Sequence, residues 1–239
     1  MHAIRSVVVA ALVLSSGLAA TAWGQTSPAR DSDEAKRIAE SITVLRELSS
    51  TPDRQIPEHL LARAEAIVVI PTLIKGGFVV GAKHGKGVIS TRDRATNTWS
   101  SPAFVTMTGG SIGWQIGIES VDVVLLVMNR RGVDELLEDR FTLGGNLSVA
   151  AGPVGRSGDA ATNAQVSAQI LAYSRAKGLF AGATLEGSAL RSDNDANKAL
   201  YKVTSLRDVL SAKPGPAAPA AATTWRNALK SLVTMEPNP

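Results

Sequence analysis

The stretch Ala66-Ile-Val-Val-Ile-Pro-Thr-Leu-Ile-Lys-Gly-Gly-Phe-Val-Val-Gly-Ala-Lys-His-Gly-Lys-Gly-Val-Ile-Ser90 decides the fold. It contains three β-rich runs, Ile67-Val-Val-Ile70, Phe78-Val-Val-Gly81 and Gly87-Val-Ile-Ser90, parted by proline, glycine and polar residues. Short runs of branched aliphatic residues bounded in this way are the pattern of strands, not of helices. Ala103-Phe-Val-Thr106, residues 112–118 and residues 121–128 continue it, so consecutive antiparallel strands are expected. Residues 121–128 are apolar on both faces after Asp122, as in a buried central strand.

Working outward, all but three of the 21 glycines (Gly17, Gly24 and Gly215) fall between Gly76 and Gly187. Glycines inside strand patterns mark bulges, tight bends or close backbone approach. The expectation is an α+β fold in which a curved, barrel-like antiparallel β-sheet is flanked by helices. Gly81-Ala-Lys-His-Gly-Lys-Gly87 and Gly109-Gly-Ser-Ile-Gly113 are read as turns between strands.

The flanks carry helical periodicity. Asp31-Ser-Asp-Glu34 is a capped start, followed by Ala35, Ile38, Ala39, Ile42, Leu45 and Leu48 on one face, with Ser49-Ser-Thr-Pro52 as the stop. A second helix opens at Pro57 and runs to about Glu65. Residues 131–138 form a short helix, and residues 169–174 and 179–189 read as strands. Residues 164–172 fit either helix or strand. Another helix starts at Asp193 or a neighbour, which caps it. Residues 213–222 are a Pro/Ala-rich linker. Beyond it, residues 223–239 form a C-terminal helix or tail, with Trp225, Leu229 and Leu232 on one helical face, either packed back on the domain or loose.

The N-terminus reads as an export signal. Arg5, the uncharged run to Ala20 and the small-residue exit at Ala22-Trp23-Gly24 make residues 1–24 a signal peptide, leaving a single domain over residues 25–212. The apolar run falls short of the roughly 20 residues that span a bilayer. The chain has no cysteine, so neither disulfides nor a lipid-modified cysteine are expected. Loss of Arg5 with the leader lowers the net charge from +4 to +3. That balance favours anionic surfaces slightly, and without clustered basic and aromatic residues no nucleic-acid partner is expected.

Motifs for catalysis fail on spacing or context. Residues 81–87 are one residue short of a P-loop, and Gly87 stands where the metal-binding Ser/Thr belongs. Gly109-Gly-Ser-Ile-Gly113 matches G-x-S-x-G, but a strand follows it where a nucleophile elbow requires a helix. His59 and His84 both precede Ser111, the reverse of the hydrolase order. No motif gathers Glu119, Asp122, Asp134, Glu135, Glu138 and Asp139 into one pocket, so no enzyme activity, metal or cofactor is expected. The basic residues say more. Lys75, Lys83 and Lys86 fall in or beside the first hairpins, and Arg130, Arg131, Arg175 and Lys177 border later strands. If turns at one end of the sheet coincide, these cations converge on an anionic headgroup, each worth roughly 1 kcal/mol near an anionic bilayer.

Seven or so phrases carry a resemblance: Ile56-Pro-Glu through Ile70-Pro71, Lys75-Gly-Gly-Phe-Val-Val-Gly81, Trp99-Ser-Ser-Pro102, Gly109-Gly-Ser-Ile-Gly-Trp-Gln-Ile-Gly117, Phe141-Thr-Leu-Gly-Gly-Asn-Leu-Ser-Val-Ala-Ala-Gly-Pro-Val-Gly155 and Tyr173-Ser-Arg-Ala-Lys-Gly-Leu-Phe-Ala-Gly-Ala-Thr-Leu-Glu-Gly187 among them. Over about residues 35–201 the chain resembles the SYLF domain family. The resemblance implies a lipid-binding domain whose eukaryotic relatives bind phosphoinositides or other acidic lipids, some of them acting with actin-regulating or SH3-containing partners. It further implies a membrane-binding N-terminal amphipathic helix, here about residues 32–48, with Lys36, Arg37 and Arg46 as its cations. With the export signal, the expectation is a periplasmic or outer-envelope protein that binds an anionic lipid or membrane surface without catalysis. The alternative is an envelope structural or protein-interaction module with an envelope protein partner.

Overall fold

The computed structural model describes residues 32–47, 56–138, 140–145, 147–155, 167–176, 179–183, 185, 187–211 and 219–234. The signal-peptide reading, Asp31, Asp139, Lys177 and most of the Pro/Ala linker lie outside the described residues.

The six runs expected as separate strands are joined into two. Strand β1 (Ala66–Asp93) and strand β3 (Ala103–Val127) pair antiparallel along their length, from Ala66 opposite Val127 to Ile89 opposite Ala103, with the short β2 (Thr98–Trp99) folded back on the end of β1. Residues 81–87 and 109–113, expected as turns, therefore run through strand and face each other: Gly81 lies opposite Ser111 and Lys83 opposite Gly109. Their glycines serve curvature instead of chain reversal. A Cβ on Gly87 would collide with the Val69 carbonyl and the Ile70 backbone, and one on Gly85 would press on Ile70 and Leu73. The ribbon thus coils until the end of β1 meets its own beginning, where the Arg92 N–H donates to the Glu65 carbonyl (2.7 Å).

Two register shifts help the coil, between Ile70 and Leu73 and between Gly77 and Val79. Pro71 sits in the first, where a strand tolerates a residue without an N–H. Next to it Thr72 takes a positive φ of 66°, and its N–H donates to Asp122 Oδ1 at 3.0 Å.

Among the described residues the sheet has eight strands. Strand β6 (Ile170–Ala176) lies antiparallel on the far side of β3, and β5 (Val149–Ala151) adds to it as the one parallel pair among the described residues. Strand β7 (Leu179–Gly182) also pairs with β6, while β8 (Ala189–Ser192) bridges β3 and β4 (Arg140–Thr142). The 179–189 run therefore divides, its two halves joining different neighbours. Of residues 164–172, those from Ile170 onward are strand.

Alternation along the strands builds two cores. Ile67, Val69, Val124 and Leu126 point to a face covered by α1 (Asp33–Glu47), α2 (Glu58–Arg63) and the C-terminal helix. Val68, Ile70, Val123 and Leu125 point to the concave side, filled by Phe141, Leu143 and Leu190, by Val133 and Leu136 of α3 (Arg130–Leu136), and by Leu206 and Leu210 of α5 (Leu206–Ser211). Helix α4 (Asn194–Tyr201) follows β8 and is capped by Asp193, whose Oδ1 accepts from the Ala196 N–H. The C-terminal helix α6 (Ala220–Thr234) packs back on the domain: Trp225 is fully buried and its Nε1 donates to Ser90 Oγ at 2.7 Å.

Candidate functional site

The middle of the β1–β3 ribbon continues past the helices, and there the two faces differ. Leu73 and Val121 are opposite each other and buried on the concave side. Two residues on, Lys75 and Glu119 occupy the same face, their Nζ and Oε2 3.8 Å apart. On the other face Ile74 is 47% exposed and Ile118 is 84% exposed. They are diagonal neighbours, since Gly76 lies opposite Ile118 and Ser120 opposite Ile74. Two aliphatic side chains are thus presented together to solvent.

Lys83 lies on the concave face with Gly85, Gly87 and Ile89 and is only 8% exposed. Burial, and then the nearby charge of Lys75, pull its pKa below the ordinary lysine value. Its stem crosses Gly109, where a Cβ would sit 2.8 Å from Lys83 Cε. That same point is 3.3 Å from the hydroxyl of Ser188, a fully buried side chain with no hydrogen-bond partner among the described residues.

The other sequence-selected cations go elsewhere. Lys86 is on the opposite face from Lys83 and, with Arg37 of α1, engages Asp193: Lys86 Nζ and Arg37 Nη1 are 3.1 and 2.9 Å from Asp193 Oδ2. Burial raises the Asp193 pKa, but the hydrogen bonds from Lys86, Arg37 and Ala196 outweigh it and hold the carboxyl below its ordinary value. Arg37 also stacks 5.2 Å from the centre of the Phe104 ring. Arg175 Nε donates to Asp122 Oδ2 (2.7 Å), its guanidinium contacts Glu47 at the end of α1, and it lies over Phe180. Arg37, Arg175 and Lys86 thus serve as fasteners between helix and sheet.

Arg130 and Arg131 sit exposed at the start of α3, with Arg130 Nε 3.4 Å from Asp134 Oδ1. On α1, Lys36 is exposed 3.9 Å from Glu40, Arg46 is exposed, and Ile38, Ile42, Val44 and Leu45 are buried against the sheet. The apolar face that a membrane helix would use is occupied.

Ser111 lies in the interior of β3, without the strand–turn–helix backbone of a nucleophile elbow. His59 and His84 are both exposed, and no cluster of metal-ligating side chains occurs among the described residues.

A family model described as "Ysc84: Las17-binding protein actin regulator" matches residues 108–232, from within β3 to the last turns of α6. The chain belongs to the Ysc84/SYLF family. It is 41% identical over 152 residues to LAS seventeen-binding protein 3 of Saccharomyces cerevisiae, covering 62% of this chain and 33% of that protein. It is 36% identical over 177 residues to the human SH3 domain-containing YSC84-like protein 1, covering 73% of this chain and 51% of that one. The chain thus spans about a third to a half of these relatives' length. The Ysc84 match includes Gly109, Ile118 and Ser188 but begins after Lys75 and Lys83.

Sequence reasoning did not find Ile74, Ile118 or Ser188, and it placed Gly109 in a turn. Ile74 and Ile118 look like ordinary strand residues until the helices of the described residues are seen to stop short of them. Ser188 gave no signal, because its place beside Lys83 depends on β8 joining β3.

Proposed function

We propose that the protein binds anionic lipid or membrane surfaces without catalysis, as an exported periplasmic or outer-envelope component. The contact element in this reading is the middle of the β1–β3 ribbon, not α1. The observation that carries it is the exposed pair Ile74 and Ile118 on a part of the ribbon that no helix among the described residues covers, with Lys75 on the reverse face. Aliphatic tips enter the headgroup boundary while a lysine stem bends round the ribbon to put its ammonium among the headgroups. Helix α1 is a poorer candidate because its apolar side is buried and Arg37 is spent on Asp193.

Co-sedimentation with vesicles of graded anionic content tests the reading. Burying an isoleucine is worth about 1.5–3 kcal/mol. Replacing both (Ile74→Ser with Ile118→Ser) should therefore lower vesicle affinity at least about tenfold and leave the melting temperature unchanged. Sedimentation equal to wild type would contradict the assignment. The second reading is an envelope protein partner, favoured by relatives whose names include Las17 binding. It predicts no vesicle binding at any composition.

A further inference from the structure

We propose that Lys83 is a site of covalent modification by carbon dioxide, its amine adding the gas to form a carbamate on the concave face of the ribbon. The site does not rest on the Ile74/Ile118 surface, which lies on the opposite face of the same strands. An amine reacts in this way only as the free base. A lysine supplies that form near neutral pH when it is desolvated or set beside another cation. Lys83 meets both conditions. It is 8% exposed and has no hydrogen-bond or ion-pair partner among the described residues. Its stem lies against β3 at Gly109, where a Cβ would sit 2.8 Å from Lys83 Cε.

The curl of β1 brings up the second cation. A Cβ on Gly85 would sit 3.1 Å from Leu73 Cα, so the strand crosses itself at these two residues. Lys83 comes two residues before Gly85 and Lys75 two residues after Leu73, each on the concave side of the crossing. The charge of Lys75 accordingly acts on Lys83, although burial is the larger cause of its lowered pKa. Glu119 pairs with Lys75, at 3.8 Å, and not with Lys83.

The charge of the product selects the reagent. The Nζ lone pair attacks the carbon of carbon dioxide, one C=O electron pair moves onto oxygen, and the nitrogen releases a proton to water. A neutral amine thereby becomes an anionic carbamate. In the field of Lys75 an ammonium is repelled and a carbamate is attracted. A Schiff base formed with an aldehyde bears no negative charge and gains nothing from that field. Carbon dioxide is also small and uncharged, so it reaches a buried amine without the desolvation penalty of an ion.

The test equilibrates the full chain with isotopically labelled bicarbonate and carbon dioxide at fixed ionic strength and reads carbon NMR, in which a carbamate is resolved from both. A protein carbamate signal is expected in wild type. Lys83→Met should reduce it to the part formed by the α-amino group, whose pKa near about 8 lets it react as well. Lys36→Met, on the exposed side of α1, should leave the signal unchanged. Lys75→Met should lower it several-fold at sub-saturating carbon dioxide, because the repulsion of the ammonium and the attraction of the carbamate are lost together. Trapping with a trialkyloxonium salt, which converts a carbamate into a stable ester, followed by peptide mapping, should place the adduct on Lys83 in wild type. That arm needs no variant and decides the matter if Met disturbs the ribbon. A signal of equal size in Lys83→Met, or trapped adduct on other amines with none on Lys83, overturns the proposal.

Discussion

At the scale of single residues, Asn197 shows how a side chain absent from the sequence reading can hold the fold. Its Oδ1 accepts from the Phe104 N–H (2.8 Å), while its Nδ2 donates to the Phe104 carbonyl and to Ser192 Oγ (both 3.1 Å), all from a fully buried position. It closes the rim where β3 meets α4, just past the last β8 pair, Val105 with Ser192. Asn197→Ala leaves the Phe104 N–H buried without this acceptor and should cost about 2–3 kcal/mol, read as a lower urea midpoint at unchanged m-value. A loss under about 0.5 kcal/mol would mean that water replaces the amide. Nothing local in Asp193-Asn-Asp-Ala-Asn197 distinguishes this asparagine from Asn194, since its partner lies 93 residues earlier. The helix cap at Asp193, by contrast, is legible because its partner Ala196 is three residues away.

At the scale of elements, α1 is fastened at both ends, by Arg37 to Asp193 and by Glu47 to Arg175. The folded pKa of Asp193 is depressed, so the stability it confers is present above the unfolded value of about 3.9 and is lost as pH falls through the folded value. Asp193→Asn leaves Arg37 buried without its counter-ion and should destabilise the protein by about 3 kcal/mol at neutral pH. The gap between wild type and variant should narrow below about pH 4, as wild type also protonates. Denaturant titrations at pH 7 and pH 3 check this, and a gap that does not change with pH would contradict it. The amphipathicity of α1 was plain from Ile38, Ile42 and Leu45, but amphipathicity alone does not say whether a helix covers a sheet or a bilayer. Strand character was equally plain, whereas strand length was not. Glycine at 81–87 and 109–113 has the same composition in a turn and in a sharply curved strand, and the opposing residues decide between them.

At the scale of the whole molecule, the helices among the described residues cover one face of the curled sheet only as far as Arg175 and Asp122, and the ribbon beyond carries Ile74 and Ile118 outward and Lys75 and Lys83 inward. The curvature was legible from glycine placed inside apolar runs, and membership of the Ysc84/SYLF family from phrases in order along the chain. The division of the lysines between faces was not, because it follows from alternation along a strand that the sequence had divided in three. The absence of cysteine permits a direct test of the central claim, since one introduced thiol takes a unique label. An environment-sensitive fluorophore at Ile118→Cys is to be compared with the same label at Lys36→Cys on the exposed side of α1, each with anionic and with neutral vesicles. A blue shift at position 118 with anionic vesicles, weakened by salt and absent at position 36, is the predicted result. A shift at position 36 without one at 118, or none at either, would contradict membrane contact through the ribbon.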